Sequence, residues 1–361
     1  MMRIVMKTQI KYLILVLFMS LSACSKWTDV EANLIDVPEF SPEYYENLRA
    51  FKASEHERSF GWFGGWIGQG VRLSNSLCGL PDSLDMVALW NGWGNLNEAK
   101  KADLKKVQEQ KGTKVVFTQI LRDVGDGCNP YPFETKEEQA AYWGYEEGND
   151  DAIKAACEKY ANAICDTLFK YGYDGFDMDF EPGYGMSGNL SMNYNKNPKP
   201  MIWFVTALAK RIGRTSGTDK LLIIDGETWS SPAELAPHYN FIIEQAYSCR
   251  SYTDLDNRFR RFINHFGEYD DKKELAKRYI VTENFESYRD DGGVSHRTRD
   301  GLTVNSLEGM ARWKPILDEE EVMKGGAGCY RIEYEYELFH LKGTYPYTRE
   351  SIRCMNPAEG N

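Results

Sequence analysis

The segment YDGFDMDFEP, residues 173–182, carries three carboxylates at alternate positions of an apolar run. Side chains alternate between the two faces of a β-strand, so Asp177, Asp179 and Glu181 share one face and apolar residues occupy the other. Asp is a poor strand former and stacked like charges repel, so a purely structural strand would rarely carry this pattern. A solvated acidic strand or a calcium site is the alternative, but calcium ligands come more often from a loop. The segment therefore predicts a strand whose carboxylates converge for acid–base chemistry.

Eight short apolar runs alternate with amphipathic helices, and the acidic segment is the fourth of these runs. The runs lie near residues 59–63, 85–90, 114–119, 173–181, 220–225, 241–247, 278–283 and 328–334. Helices are predicted at 97–111, 150–170, 200–212, 254–266 and 306–314. Strands that alternate with helices indicate a parallel sheet, and the length favours an α/β fold made of a single (β/α)8 TIM barrel. A doubly wound open sheet is the alternative, but no GxGxxG turn follows the first strand.

The amino terminus has the layout of a bacterial secretory signal peptide. Three basic residues precede an apolar run of about 12 residues, which is too short to span a bilayer. The sequence Leu21-Ser-Ala-Cys24 resembles a lipobox, so we expect residues 1–23 to be removed and Cys24 to be lipidated, with palmitate as one of the acyl chains. Ordinary cleavage beside an incidental cysteine is the alternative. The expected location is the cell envelope, lipid-anchored in the outer membrane and at the cell surface, although the sequence leaves a periplasmic orientation open.

The remaining chain divides into a tether at 24–50, a catalytic barrel at 51–345 and a C-terminal tail at 346–361. The sequence has 54 acidic and 43 basic residues, and its net charge of −11 argues against nucleic acid as a partner. No cysteine pair has CxxC spacing and only five histidines are present, which argues against a zinc site. We therefore expect no metal or cofactor. The protein is also expected to be a monomer.

The run from Asp174 to Glu181 resembles the DGxDxDxE signature of glycoside hydrolase family 18 at every position, on the expected fourth strand. The resemblance implies a TIM barrel that hydrolyses glycosidic bonds with retention by substrate-assisted catalysis. It implies that Glu181 protonates the leaving oxygen and later activates water. Asp179 would orient the 2-acetamido group of the substrate, whose oxygen attacks the anomeric carbon, and would stabilise the oxazolinium that forms. Asp177 would share a proton or a hydrogen bond with Asp179.

The sixth run favours one branch of that family. In FIIEQAY, residues 241–247, Gln245 and Tyr247 share a strand face, and the Gln-x-Tyr pattern resembles endo-β-N-acetylglucosaminidases, where these residues hold the acetamide. A polar layer that only satisfies hydrogen bonds is the alternative. The third run lacks the Ser-x-Gly-Gly of many chitinases, and the stretch from Glu283 to Gly328 is too short for the α+β domain that many chitinases insert. An open cleft for a branched glycan is therefore expected.

Side chains near the strand ends complete the predicted site. Trp62, Trp90, Trp229 and Asp174 are expected to bind the sugar, because flat aromatic rings stack on pyranose faces. The sequence does not rank five further polar candidates, which are Asp225, Glu227, Glu283, Arg331 and Glu333. The expected substrate is an N-glycan or glycoprotein, cleaved at the β-1,4 bond between the two GlcNAc residues of its core. A chitinase or chitodextrinase is the alternative enzyme, and a non-catalytic glycan-binding lipoprotein is the alternative from another class.

Overall fold

The computed structural model describes residues 39–68, 73–192 and 195–357, all of which belong to the compact unit Val37–Asn361. Eight parallel strands form a closed barrel in this unit. The strands are β1 (Arg58–Phe63), β2 (Met86–Leu89), β3 (Lys114–Ile120), β4 (Gly175–Phe180), β5 (Leu221–Gly226), β6 (Phe241–Glu244), β7 (Tyr279–Asn284) and β8 (Gly326–Tyr330). Each strand pairs with the next along the chain, and β8 closes the ring against β1. The predicted single (β/α)8 TIM barrel is confirmed.

Helices connect and cover the strands. They are α1 (Pro42–Ala53), α2 (Glu98–Lys106), α3 (Lys136–Trp143), α4 (Asp150–Tyr171), α5 (Lys199–Ala209), α6 (Tyr252–Phe266), α7 (Lys272–Ala276), α8 (Phe285–Tyr288), α9 (Ser306–Arg312) and α10 (Pro346–Met355). The longest of them, α4, leads into β4: the Asn149 side chain caps its first turn, and Gly172 ends it with a φ of 77°. The helix α6 begins two residues before its predicted start at 254, because Ser251 caps it.

Strand alternation divides the side chains of β4 between the outer and inner sides of the barrel wall. Phe176, Met178 and Phe180 are buried in the core between the strands and the helices. A second core fills the barrel interior and consists of Phe60, Trp62, Met86, Ala88, Val116, Ile223, Ile243 and Ile280. Asp177 contacts this interior core through the Trp62 ring nitrogen. The predicted assignment of the two faces of β4 is therefore correct, since the aromatic side chains pack outward and the carboxylates point inward.

Both ends of the described chain are helical where the sequence predicts a tether and a tail. The helix α1 crosses the predicted boundary at residue 50, and α10 packs against α9 and β8. The apolar residues Ile352 and Met355 of α10 are buried, which explains why this segment lies on the barrel. The predicted signal peptide and Cys24 lie outside the described residues. In the part of the chain that the structure describes, no helix is long and apolar enough to cross a membrane.

Candidate active site

Buried carboxyl groups from two neighbouring strands meet at the carboxyl end of the barrel. Asp179 of β4 and Asp225 of β5 are paired in register, and Asp177 lies two residues earlier on the same face of β4. All three side chains are buried. The carboxyl ends of parallel strands lie on one face of a TIM barrel, so the register of β4 and β5 is what brings Asp225 to the predicted pair. Asp225 was a candidate that the sequence could not rank; its position at the end of the neighbouring strand was the available signal.

Asp177 lies deepest and is held by two donors. Its Oδ2 accepts a hydrogen bond from Trp62 Nε1 and another from Thr118 Oγ1, each at 2.8 Å. Burial raises the pKa of Asp177, and these two hydrogen bonds oppose the rise. Trp62 was predicted to bind sugar, but it is 1% exposed and lies in the barrel interior. Its ring is closed off from solvent, and its ring nitrogen holds the Asp177 carboxylate by a hydrogen bond.

Asp179 and Asp225 share one poorly solvated space. Among the described residues, Asp179 Oδ1 and Asp225 Oδ2 have no hydrogen-bond donor as a partner. Burial raises the pKa of Asp179 well above its usual value, and the charges of Glu181 and Asp177 raise it further. Burial and the charges of Asp177 and Asp179 do the same to the pKa of Asp225. Burial and mutual repulsion therefore oppose the ionisation of all three carboxyl groups at once.

Glu181 lies above this cluster, at the point where β4 ends. It is half-buried and directly precedes the short 3-10 turn Pro182–Tyr184. Burial raises the pKa of Glu181, the Gln245 amide opposes the rise and the charge of Glu227 adds to it. A carboxylic acid whose pKa is raised, at the mouth of a barrel, is suited to protonate a leaving group.

Gln245 and Tyr247 complete the group from the neighbouring strand. The strand β6 ends at Glu244, before the predicted limit; Gln245 directly follows it, and Tyr247 lies in the turn that comes next. Gln245 Nε2 donates a hydrogen bond of 2.9 Å to Asp225 Oδ1. Burial and the charges of Asp225 and Asp179 raise the pKa of Tyr247 well above its usual value, so the phenol remains a proton donor. The structure thus brings both residues to the carboxyl cluster.

Aromatic side chains surround the mouth of the barrel. The rings of Trp90 and Tyr330 meet edge to face with their centroids 5.4 Å apart, and Tyr330 lies 6.4 Å from the ring of Tyr247. Trp229 follows β5 and is 51% exposed. Trp90 and Trp229 therefore lie where a sugar could reach them. Tyr330 was missed from the sequence, although its position as the last residue of the eighth strand was a usable signal.

Asp174 lies at the opposite end of the barrel, so its predicted contact with substrate is corrected. Its carboxylate accepts hydrogen bonds from Val115 N at 2.9 Å and Gln108 Nε2 at 2.7 Å, and pairs with Lys114. It precedes Glu181 by seven positions, which is about 23 Å along an extended strand. Asp174 therefore secures the beginning of β3 and β4 to the preceding helix segment and lies far from the cleft.

Two of the unranked candidates support loops around the mouth. Glu283 is buried at the end of β7 and accepts hydrogen bonds from the Ser248 and Asn284 amides and from the Ser306 hydroxyl. Glu333 accepts a hydrogen bond of 2.9 Å from the Gly64 amide after β1. These carboxylates satisfy backbone donors and fix loop positions, which the sequence alone does not separate from a role in catalysis.

Known proteins share this architecture. A family model described as glycoside hydrolase family 18, BT1044-like, matches residues 28–354. A solved selenomethionine form of BT1044 with a glutamate-to-glutamine substitution is 32% identical, with a TM-score of 0.74, covering 88% of this chain and 93% of that chain. An endo-β-N-acetylglucosaminidase from Cordyceps militaris is 23% identical, with a TM-score of 0.59, covering 89% of this chain and 98% of that chain. A search of curated proteins found no significant match.

Proposed function

The chain belongs to glycoside hydrolase family 18, and we propose that it is an endo-β-N-acetylglucosaminidase that cleaves between the two GlcNAc residues of the N-glycan core. One observation carries this proposal: the Gln245 amide and the Tyr247 phenol lie with Asp179 and Asp225, beneath the candidate acid Glu181. Donors and acceptors at this depth suit an acetamido group that must be held against the anomeric carbon of its own sugar. The likeness to the Cordyceps enzyme concerns the fold alone.

The proposed first step uses the substrate as its own nucleophile. Glu181 donates its proton to the glycosidic oxygen while the acetamide oxygen attacks the anomeric carbon from the opposite side. The C–O bond to the leaving sugar breaks, and a cyclic oxazolinium forms on the glycan. Asp179 accepts the acetamide N–H and carries the negative charge that faces the new cation, and Tyr247 donates to the acetamide oxygen. Water, deprotonated by Glu181, then opens the ring with overall retention.

The buried carboxyl cluster gives this scheme a place to store a proton. Asp179 has to be ionised when the oxazolinium forms, although burial raises its pKa in the free protein. Asp225 is paired in register with Asp179, and Asp177 lies two residues earlier on β4, so a proton that leaves Asp179 has carboxylates nearby that can accept it. Since the proton stays inside the barrel, ionisation of Asp179 needs no exchange with solvent.

The shape of the mouth supports a branched substrate. Residues 285–325, all of which the structure describes, contain α8, α9 and two short antiparallel hairpins between β7 and β8. They contain no α+β domain that could build a wall on this side of the cleft. Trp90 and Trp229 lie at separate points on the mouth. An open rim of this kind accommodates branches that a narrow chitin tunnel would exclude.

Incubation with glycoproteins tests the proposal. Ribonuclease B and an intact antibody present high-mannose and complex N-glycans, and mass spectrometry should find one GlcNAc left on the glycosylated Asn of one or both. The matched control is Glu181→Gln protein, which should leave both substrates intact. Cleavage of chitin oligosaccharides with no change in either glycoprotein would overturn the N-glycan assignment. Removal of the entire glycan from Asn would overturn the assigned bond.

We further propose that Cys24 carries a lipid that anchors the protein in the outer membrane, on the strength of the Leu21-Ser-Ala-Cys24 pattern. Wild type should partition into the detergent phase of a Triton X-114 extraction, while Cys24→Ala should remain aqueous or unprocessed. The matched control is Cys354→Ala, which removes another thiol and should partition as wild type does. Wild type in the aqueous phase without an acyl chain would contradict the anchor.

A further inference from the structure

We propose that Glu227 is a positioning residue that anchors the turn after Glu181 and, through its negative charge, keeps the proton on that acid. Glu227 directly follows β5 and is only 6% exposed. This inference rests on the proposed function, in which Glu181 is the general acid. It assigns a role to a carboxylate that neither the sequence pattern nor the reaction scheme above uses.

The first support is a direct contact with the turn that follows the acid. The Glu227 carboxylate accepts a hydrogen bond from the amide of Gly183, which lies in the turn Pro182–Tyr184 immediately after Glu181. The backbone amide of Glu227 also donates to the carbonyl of Phe180 at 2.8 Å, which extends the pairing of β4 and β5 by one residue. The main chain and the side chain of Glu227 therefore form hydrogen bonds to the chain on both sides of Glu181, at Phe180 and at Gly183.

The second support is that two glycines make this close approach possible. A Cβ at Gly183 would clash with the Glu227 carboxylate. A Cβ at Gly226 would lie 2.8 Å from Glu181 Cγ, and the φ of 88° at Gly226 is one that other residues rarely adopt. The glycines thus allow Glu227 to reach the turn and allow Glu181 to lie directly over the end of β5.

The third support is the charge itself. Within the described residues Glu227 has no cationic partner, and its one side-chain hydrogen bond comes from a neutral amide. A glutamine would accept the same hydrogen bond without the cost of burying a charge. Burial raises the pKa of Glu181 most, the hydrogen bond from Gln245 lowers it, and the charge of Glu227 raises it by a smaller amount. A structural role does not need the charge, but a role in retaining the proton of Glu181 does.

The titratable groups that face Glu181 come from three strands. They are Asp179 on its own strand, Glu227 after β5 and Tyr247 after β6, with the neutral amide of Gln245 beside them. Tyr247 stays protonated because its pKa is raised, and Asp179 belongs to the proton-sharing cluster below. Glu227 is thus the facing carboxylate outside that cluster, and a substitution there separates its charge from the rest of the machinery.

Two variants separate the effect of the Glu227 charge from the effect of its hydrogen bond to the Gly183 amide. Glu227→Gln keeps an oxygen for the Gly183 amide but loses the charge, so Glu181 should lose its proton at lower pH. The basic limb of the kcat/KM profile should move to lower pH, with activity at pH 8 reduced by about fivefold and activity at pH 5 unchanged. Glu227→Asp keeps the charge but is one methylene too short for Gly183. It should lower kcat at every pH and leave the basic limb in place.

A direct titration removes the dependence on substrate. In protein labelled with ¹³C at glutamate Cδ, the Glu181 signal is the one absent from Glu181→Gln, and its midpoint should be lower in Glu227→Gln than in wild type or Glu227→Asp. An unchanged midpoint and basic limb in Glu227→Gln would overturn the inference, as would a lowered midpoint in a folded Glu227→Asp. If wild type cleaves no N-glycan, the proposed function fails, while the carboxyl titration still decides the role of Glu227.

Discussion

Glu181→Gln should lower the rate of glycan hydrolysis by roughly 10³-fold or more while changing the affinity for intact glycan by no more than about twofold. The amide has the same shape as the carboxylic acid but cannot give a proton to the leaving oxygen or take one from water. Glu181 is half-buried at the mouth of the barrel, so the substitution leaves the packed interior untouched. The loss should therefore appear in kcat, with little change in the free energy of unfolding.

Substrates with different leaving groups provide a more specific test of the role of Glu181 as an acid. An aryl glycoside that releases a good leaving group needs little protonation, so Glu181→Gln should retain much more activity on it than on a natural glycan. Single-turnover rates on both substrates and calorimetric binding of the intact glycan are the measurements. Glu55→Gln is the matched control, because Glu55 is exposed and pairs with Lys277 just before β1 and β7, at the end of the barrel opposite the mouth. Near-wild-type turnover of the natural glycan by Glu181→Gln would remove the central assignment.

Asp179→Asn should reduce hydrolysis of the intact glycan by roughly 10²-fold to 10³-fold, because the oxazolinium loses its counter-charge in a site with little water. Asn can still occupy the space, but it cannot become negative when the cation forms. The same variant should accept a preformed sugar oxazoline as donor, since the step that needs the charge has already taken place. Hydrolysis of the transferred product should be slow, so the transglycosylation product should accumulate.

The measurement is the yield of transfer product from an oxazoline donor and a GlcNAc acceptor, compared among wild type, Asp179→Asn and the double variant with Glu181→Gln. Wild type should hydrolyse the new product, and the double variant should transfer poorly because no base activates the acceptor. Two results would contradict substrate assistance. One is a glycosyl ester trapped on Asp179 in wild type, and the other is a folded Asp179→Asn protein that transfers nothing from the oxazoline.

The predictions from sequence succeeded where the relevant pattern is local. Period-two alternation in the segment 173–182 assigns each side chain of β4 to the interior or the exterior, because this follows from the geometry of a single strand. The eight apolar runs and the helices between them predict the barrel in the same way, since each element carries its own hydrophobic pattern. Gln245 and Tyr247 could be predicted to lie together because only two positions separate them on the sixth run.

The incorrect predictions concerned residues whose position depends on their depth in the barrel and on the register between strands. Trp62 was predicted to lie in the cleft because it is near a strand end, but the tertiary structure buries it in the barrel interior, where it donates a hydrogen bond to Asp177. Asp174 belongs to the same signature as Glu181, yet it lies at the other end of the strand and pairs with Lys114. The position of a residue along its strand can be predicted from the sequence, whereas the register between neighbouring strands depends on how the barrel closes.

The sequence by itself therefore determined the barrel, the inward face of β4 and the positions of Asp179 and Glu181 along that strand. Only the tertiary structure decided that Asp225 joins them and that Glu227 reaches the turn behind Glu181. Residues that lie more than forty positions apart meet because β4 and β5 pair in one particular register. That register depends on packing and hydrogen bonding around the whole closed barrel, which no local stretch of sequence records.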